Sequence, residues 1–498
     1  MSLVLGAFAQ VLSIKMVLIM ILGSFVGIVF GAIPGLTYSM GIILLLPLTF
    51  HLPPLMAVTL LLGVYIGGMT GGSVSSILLG IPGTPSAAAT CLDGFPLSKR
   101  GMAGKALGTA LVSSIFAGLL SVATLMVVAP IVAKFALKFG PAEIFSLVFF
   151  GFSTICGISM GNVLKGLISG FIGLLFTTIG IDPVMGMSRY TFGIGQLISG
   201  VDLLAFMIGM FAIPQVIKIL SIDESLLTRK ISARVSTQYP SLAELKRMFG
   251  LMVKCAFIGI GIGAIPGTGG PIAAFLGYDQ AKRKTRHSEP ALEGVAGPES
   301  ANNGVTGGAL IPMLTLGIPG DPATAILLGA LLIHGLKPGP MLFTQHADFI
   351  YGMYAALIVI HLIVLVMQGF GIQLFVQVLN FRKSYLYTTI LVLCTIGSFA
   401  VNNNEFDIYV MVFAGFLGYF LMKFGYPVAP TVLALVLGPP MEENFRRALI
   451  LSQGDFGIFL NSPISWFFYL ATIFVLAGQV RRSLLAARGG SVSAGKRA

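Results

Sequence analysis

Gly259-Ile260-Gly261-Ile262-Gly263-Ala264-Ile265-Pro266-Gly267 decides how this chain is read, because a near copy stands earlier, Gly27-Ile28-Val29-Phe30-Gly31-Ala32-Ile33-Pro34-Gly35. A second motif follows each copy. Gly80-Ile81-Pro82-Gly83-Thr84-Pro85 follows the first and Gly317-Ile318-Pro319-Gly320-Asp321-Pro322 the second. The offsets are 263 − 31 = 232 and 317 − 80 = 237. Two motifs in the same order at nearly the same separation mark an internal duplication.

Composition sets the class. Of 498 residues, 56% are hydrophobic and 10% charged, and mean hydropathy is +0.95. Soluble domains carry about 25% charged residues, so the chain reads as an all-α polytopic membrane protein. The 63 glycines lie mostly inside apolar runs, which suits close helix packing. The net charge of +12 comes from basic residues in short loops between apolar spans. There they set topology and meet anionic lipid, and nucleic-acid binding is not expected. Cys91, Cys156, Cys255 and Cys394 are far apart, with no CxxC spacing, so neither a disulfide framework nor a zinc site is suggested.

Glycines at 23, 27, 31 and 35 place one small face on the first span, about 11–30, and Pro34-Gly35 breaks that helix. A span over about 55–80 carries Thr70-Gly71-Gly72-Ser73-Val74-Ser75-Ser76 and ends at the next break. Thr84 suits a helix N-cap and Pro85 the first helical position. Spans near 105–134, 143–160, 164–180 and 199–220 complete the first half, and spans near 347–378, 385–401, 407–424 and 427–438 continue the second. The expected division is a first transmembrane repeat 1–220, a cytoplasmic linker 221–247, a second repeat 248–455, an extra span 456–480 and a basic cytoplasmic tail 481–498. Positive clusters at 229–247, 282–286, 382–383 and 481–497 are expected on the cytoplasmic side. The loop after the first motif is neutral in half one (His51 to Pro54) and basic in half two (Lys282 to Arg286). After the second motif the bias reverses, with Lys99, Arg100 and Lys105 against Lys337 alone. That alternation predicts two inverted repeats, about 12–15 spans in all, with broken or re-entrant helices; Arg446-Arg447 falls on the wrong side of the count.

Irregular backbone at membrane depth is tolerated only where it packs in protein or lines a wet cavity. Matching helix breaks on inverted repeats point to a midplane site, where half-helix N-termini hold a carboxylate and freed carbonyls hold Na⁺. The candidate residues are Pro34, Gly35, Thr37, Ser73, Ser75, Ser76, Pro82, Gly83, Thr84 and Ser86 in the first half. In the second they are Gly267, Thr268, Glu299, Ser300, Asn302, Asn303, Pro319, Gly320 and Asp321. The competing reading for Ser73 to Ser76 is back-bonding to their own helix, and for Asp321 simple N-capping. Glu299 and Asp321 would repel an anion if ionised, so they read better as cation ligands or proton acceptors. Asp182 and Asp202 sit near span ends and read as interfacial. No GxxxxGK[ST] occurs, the glycines of 259–263 lack a βαβ context, and no catalytic constellation is present. The chain is not read as an enzyme, and no cofactor or resident metal is expected.

At Gly31 to Gly35, Gly71 to Pro85, Pro298-Glu299-Ser300-Ala301-Asn302-Asn303 and Gly317 to Pro322 the chain resembles the large membrane subunit of the tripartite tricarboxylate transporter family. The likeness covers nearly the full length. It implies a cation-coupled importer in a bacterial inner membrane, with a small membrane subunit and a periplasmic solute-binding protein as partners and citrate or another carboxylate as substrate. Physics asks for coupling independently. A trivalent anion entering against an inside-negative potential faces roughly 7 kcal/mol per 100 mV, at ~2.3 per charge. Without nucleotide hydrolysis, entering cations must offset that, Na⁺ first and protons second. The alternative is a passive anion channel.

Overall fold

The computed structural model describes residues 2–158, 163–182, 184–220, 236–267, 269–284, 289–378 and 383–494. Thr268, linker residues 221–235, Thr285-Arg286, Arg382 and Lys496-Arg497, all invoked above, lie outside the described residues.

The described chain is almost entirely helical. The first repeat opens with α1 (Ser2–Val11), α2 (Ile14–Ala32), α3 (Tyr38–Leu45), α4 (Pro54–Leu79), α5 (Ala88–Leu97) and α6 (Ala103–Ala136). Next come α7 (Pro141–Ile158), α8 (Val163–Thr177), a hairpin of β1 (Gly180–Ile181) and β2 (Ser188–Arg189), and α9 (Leu203–Leu220). The second repeat follows with α10 (Leu242–Gly263), α11 (Gly269–Lys284), α12 (Glu293–Leu316), α13 (Pro322–Ile333) and α14 (Leu342–Gln345). The chain ends through α15 (Ala347–Val378), α16 (Lys383–Asn402), α17 (Glu405–Lys423), α18 (Ala429–Leu451) and α19 (Pro463–Ala494). Among the described residues five helical stretches are long and apolar enough to cross a membrane: Ile14–Ala32, Pro54–Leu79, Pro85–Ala136, Ala347–Gln377 and Glu405–Lys423. Shorter apolar helices accompany them, and the protein is an all-α multi-pass membrane protein.

The chain forms two compact units, and each draws on both halves of the sequence. One contains Met1–Ala136 and Gln215–Asn403, the other Leu137–Pro214 and Asn404–Ala498. The four helix breaks discussed below, and the helices that flank them, belong to the first.

The glycine face does in that unit what its spacing predicts. A Cβ at Gly27 would run into the Val64 carbonyl and one at Gly31 into the Gly68 carbonyl, so α2 and α4 touch backbone to backbone. The second repeat reproduces this: Gly259 meets Ala301 and Gly263 meets Val305, between α10 and α12. The pairs are the same pair, since 259 − 27 = 232 and 301 − 64 = 237. The duplication is therefore one of packing as well as sequence. Such contact replaces side-chain burial as the glue between helices in lipid. It also buries α4 almost completely, and α12 from Glu293 through Thr315. That explains why α12 tolerates Glu299, Asn302 and Asn303: none of them faces lipid.

Boundaries differ from the sequence reading at α10, α18 and α19, the last running from Pro463 to Ala494, through most of the expected tail. The helix α10 starts at Leu242, inside the expected linker, because Ser241 and Glu244 form a reciprocal capping box. The helix α18 runs to Leu451, well past the short span expected at 427–438, and carries Arg446 and Arg447 with it. In the second unit Arg446 bonds Asp182 and Glu442 at 2.8 and 2.9 Å, and Arg189 bonds the same two acids at 3.2 and 2.6 Å. The pair that disturbed the topology count thus stands on a helix, with Arg446 in a closed ring of two arginines and two acids. Close glycine contacts recur in this unit, where Gly173 abuts the Thr431 carbonyl and Gly209 the Met411 carbonyl.

Candidate substrate and ion site

Each repeat contains two helix breaks. In the first, α2 ends at Ala32, Gly35 takes φ +91°, and Thr37 caps α3 by accepting from the Met40 N–H at 3.3 Å. The helix α4 ends in left-handed Gly80, and Pro82-Gly83-Thr84 leads into a 3₁₀ turn, Pro85–Ala87, that opens α5. In the second, Pro266-Gly267 separates α10 from α11, and left-handed Gly317 ends α12. Asp321 then caps α13 with a full capping box: its Oδ1 accepts from the Thr324 N–H at 2.8 Å, and Thr324 Oγ1 accepts from the Asp321 N–H at 2.9 Å. Thr84 occupies the matching position, yet its hydroxyl pairs with Ser86 Oγ at 3.1 Å and does not cap the backbone.

The breaks pack in pairs through matching glycine contacts. A Cβ at Gly83 would strike the Gly31 carbonyl, and one at Gly320 the Gly263 carbonyl. The Gly267 N–H donates to the Gly320 carbonyl at 2.8 Å. The two pairs then meet across the duplication. Tyr65 Oη, on α4, donates to Asp321 Oδ2 at 2.8 Å. The ring of Tyr38, just after the first break, lies 5.7 Å from that of Tyr65. A Cβ at Gly269 would lie 4.0 Å from Asp321 Cβ, and one at Gly270 2.6 Å from Asn302 Oδ1 and 2.9 Å from Ser86 Cβ. All four interruptions therefore gather in one region of the first unit. Pro34, Gly83, Thr84, Ser86, Pro319, Gly320 and Asp321 are buried there, Thr37, Pro82 and Gly267 are half-buried, and Gly35 is exposed.

The remaining candidates separate by where they point. Ser73 and Ser76 are back-bonded, to the Thr70 and Gly72 carbonyls at 2.7 and 2.9 Å, and Ser76 also donates to the Ala87 carbonyl at 3.0 Å. Ser75 Oγ is buried without a partner among the described residues and lies on the Gly83 side of α4. Asn303 accepts from Thr70 Oγ1 at 3.3 Å, while Asn302 Nδ2 donates to the Met69 carbonyl at 3.3 Å. Ser300 stands one turn before Gly304, whose face meets the Ala256 backbone, so it points along the α10 seam and away from the breaks. Glu299 faces a third direction. Its carboxylate accepts from Thr90 Oγ1 at 2.6 Å and Ser114 Oγ at 2.9 Å, on α5 and α6. Among the described residues no basic side chain pairs with Glu299 or Asp321, although both are wholly buried.

Reading the sequence missed Tyr65, Tyr38, Thr90 and Ser114. The duplication held a signal for the first: 302 − 65 = 237 makes Tyr65 the counterpart of Asn302. Thr90 and Ser114 carried none, being hydroxyls in apolar helices like many others.

A family model described as the Tripartite tricarboxylate transporter TctA family matches residues 17–433. The chain belongs to that family. It is 36% identical over 448 residues to an Agrobacterium vitis protein named "Uncharacterized 52.8 kDa protein in TAR-I ttuC' 3'region", covering 89% of each chain. A second protein of that organism, named "Uncharacterized protein in TAR-II ttuC' 3'region", is 38% identical over 208 residues, 41% of this chain and 86% of its own length. No solved structure matches. Family membership makes the protein a membrane component of a tripartite transporter, which works with further subunits. The matched region contains all four breaks.

Proposed function

We propose that the protein carries out cation-coupled secondary uptake of a carboxylate, in the tricarboxylate class, through a bacterial inner membrane. A periplasmic solute-binding protein delivers the substrate, and a small membrane subunit completes the assembly. The carboxylate and its coupling ion, Na⁺ first and protons second, bind where the four breaks meet.

One observation carries this reading: helix interruptions from both repeats, 237 residues apart in sequence at Gly83 and Gly320, come together through Tyr65 and Asp321 and through Gly270, Ser86 and Asn302. Helix tips supply N–H groups and positive dipole ends suited to a carboxylate, and the freed carbonyls suit a cation. Two wholly buried acids, with no basic partner among the described residues, fit a site that a cation or proton enters and leaves. The alternating loop charges support opposite orientation of the repeats, an arrangement that suits alternating access.

The experiment is uptake into proteoliposomes holding the complete assembly, with a panel of labelled carboxylates, with and without a Na⁺ gradient. Accumulation above equilibrium that collapses with the gradient is expected. Pro82→Ala and Pro319→Ala should insert normally and impair uptake. Equilibrating flux that ignores the gradient and the binding protein indicates a channel and overturns the proposal.

A further inference from the structure

The duplication pairs Tyr65 with Asn302 and Asp321 with Thr84, since 302 − 65 and 321 − 84 both equal 237. The two tips built from these pairs are chemically unlike. At one, Tyr65 Oη fills Asp321 Oδ2 while Thr324 fills Oδ1, so the carboxylate has its partners within the protein. At the other, the shorter Asn302 stands where a tyrosine would be, and a neutral hydroxyl where the acid would be. The orientation of the Asn302 amide is fixed, because only its NH₂ can serve the Met69 carbonyl. Its Oδ1 therefore faces Gly270 and Ser86. A Cβ at Gly270 would lie 2.6 Å from Asn302 Oδ1 and 3.4 Å from Ser86 Oγ. Asn302 is 1% exposed and its Oδ1 has no partner among the described residues. Ser86 Oγ pairs in turn with Thr84 Oγ1 at 3.1 Å, and both side chains are equally buried.

We infer that Asn302, Ser86 and Thr84 form the binding site of a monovalent alkali cation at the first repeat's tip, while Tyr65 closes the second repeat's tip. The inference rests on the cation-coupled reading above and assigns the ion a place within it. An unpaired carbonyl oxygen in a dry site is costly and repels an anion. A hard cation takes such neutral oxygens as ligands. Three oxygens leave coordination places open, which a carboxylate oxygen of the substrate can fill. Ion and substrate then each raise the other's affinity by the same factor. Glycine at 270 is required for this, as any side chain there would occupy the ion's place.

The test is ion binding by the purified chain in detergent, read as thermal stabilisation by NaCl over equal choline chloride and as bound ²²Na⁺. The wild type should show saturable, Na⁺-specific stabilisation. Asn302→Leu and the milder Ser86→Ala should raise the half-saturating Na⁺ concentration by about tenfold or more, the loss of a ligand worth ~1.4 kcal/mol. Asn302→Asp should lower it. A wild-type half-saturation in both Asn302→Leu and Ser86→Ala, or no Na⁺-specific stabilisation of the wild type, overturns the site. If that happens in a protein whose vesicles still accumulate substrate on a Na⁺ gradient, the transport reading stands and the ion lies elsewhere. Intact Na⁺ binding that these variants weaken, in a protein without gradient-driven uptake, upholds the site and sinks the transport reading.

Discussion

Tyr65 and Asp321 are 256 residues apart in sequence and 2.8 Å apart in space, with the phenol donating to a carboxylate oxygen that caps the helix α13. Neither belongs to the other's repeat, so this hydrogen bond joins the duplicated halves at the point where their broken helices meet. Around it the polar groups are unevenly served. Asp321 has both oxygens bonded, while Ser75 Oγ and Asn302 Oδ1 have no partner among the described residues.

Removing that phenol tests how much the junction depends on it. Tyr65→Phe should lower stability by about 1.5–3 kcal/mol, the range for a hydrogen bond to a charged group, seen as a fall in the thermal midpoint of the protein in detergent. At Asp321 the cap and the charge separate by choice of residue. Asparagine caps as well as aspartate, whereas alanine loses about 1 kcal/mol from the cap alone. Asp321→Asn should therefore unfold at a higher temperature than Asp321→Ala. Equal midpoints would mean that capping contributes nothing there.

The glycine seam makes a sharper prediction within five residues. Gly259 and Gly263 face the Ala301 and Val305 backbone, while Gly261 between them faces open space. Gly259→Ala and Gly263→Ala should each lose about 1–3 kcal/mol through overpacking. Gly261→Ala should be neutral or gain up to about 1 kcal/mol from helix propensity. Thermal unfolding of the three variants in detergent decides it, and a destabilised Gly261→Ala would count against the seam.

That contrast also shows what could be read from the residues alone. Four-residue glycine spacing and two Pro-Gly breaks per repeat are local signals, so the seam and the interruptions are legible in the sequence. Their pairing was legible through the constant offsets. What was not legible is which side of a helix each polar residue takes. Glu299, Ser300, Asn302 and Asn303 are near neighbours in sequence, yet on α12 they reach α5 and α6, the α10 seam, the Gly270–Ser86 contact and α4 in turn. Consecutive helical positions differ by about 100°, and only the packing of the surrounding helices decides which direction is the site. Composition gave no hint of the Asp182–Arg446 ring, because its members come from elements more than 250 residues apart.

That ring should respond to acid. In the hairpin of the second unit, the Met185 and Val184 N–H groups, with Arg446 beside them, hold the Asp182 carboxyl down to about 2. A folded value below the unfolded one, about 3.9, means that Asp182 stabilises fully above pH 4 and loses its contribution as pH falls toward 2. Hydrogen exchange in residues 184–200 should therefore accelerate between pH 4 and pH 2 more than the intrinsic rate change accounts for. Asp182→Asn should abolish the excess. An identical excess in that variant would place the acid sensitivity on another group.

Glu299 separates a structural carboxylate from a coupling one. Its oxygens accept from Thr90 at 2.6 Å, Ser114 at 2.9 Å and Asn303 Nδ2 at 3.5 Å, with no basic partner among the described residues. Glutamine fits this nest. A hydroxyl accepts as well as donates, so Thr90 or Ser114 can turn to receive the new NH₂. Alanine instead leaves two buried hydroxyls unpaired, at about 1–3 kcal/mol each. Glu299→Gln should thus fold with a near wild-type midpoint, and Glu299→Ala should not. If Glu299 carries the coupling charge, the glutamine variant also loses uphill accumulation while retaining exchange. Labelled substrate outside then still swaps with unlabelled substrate inside when no gradient is applied, because exchange needs the substrate path and not the driving force. Paired counterflow and gradient-driven uptake in proteoliposomes distinguish the outcomes. Accumulation unchanged in Glu299→Gln would leave Glu299 as a bridge between α12, α5 and α6, and move the coupling charge to Asp321 or to the ion alone.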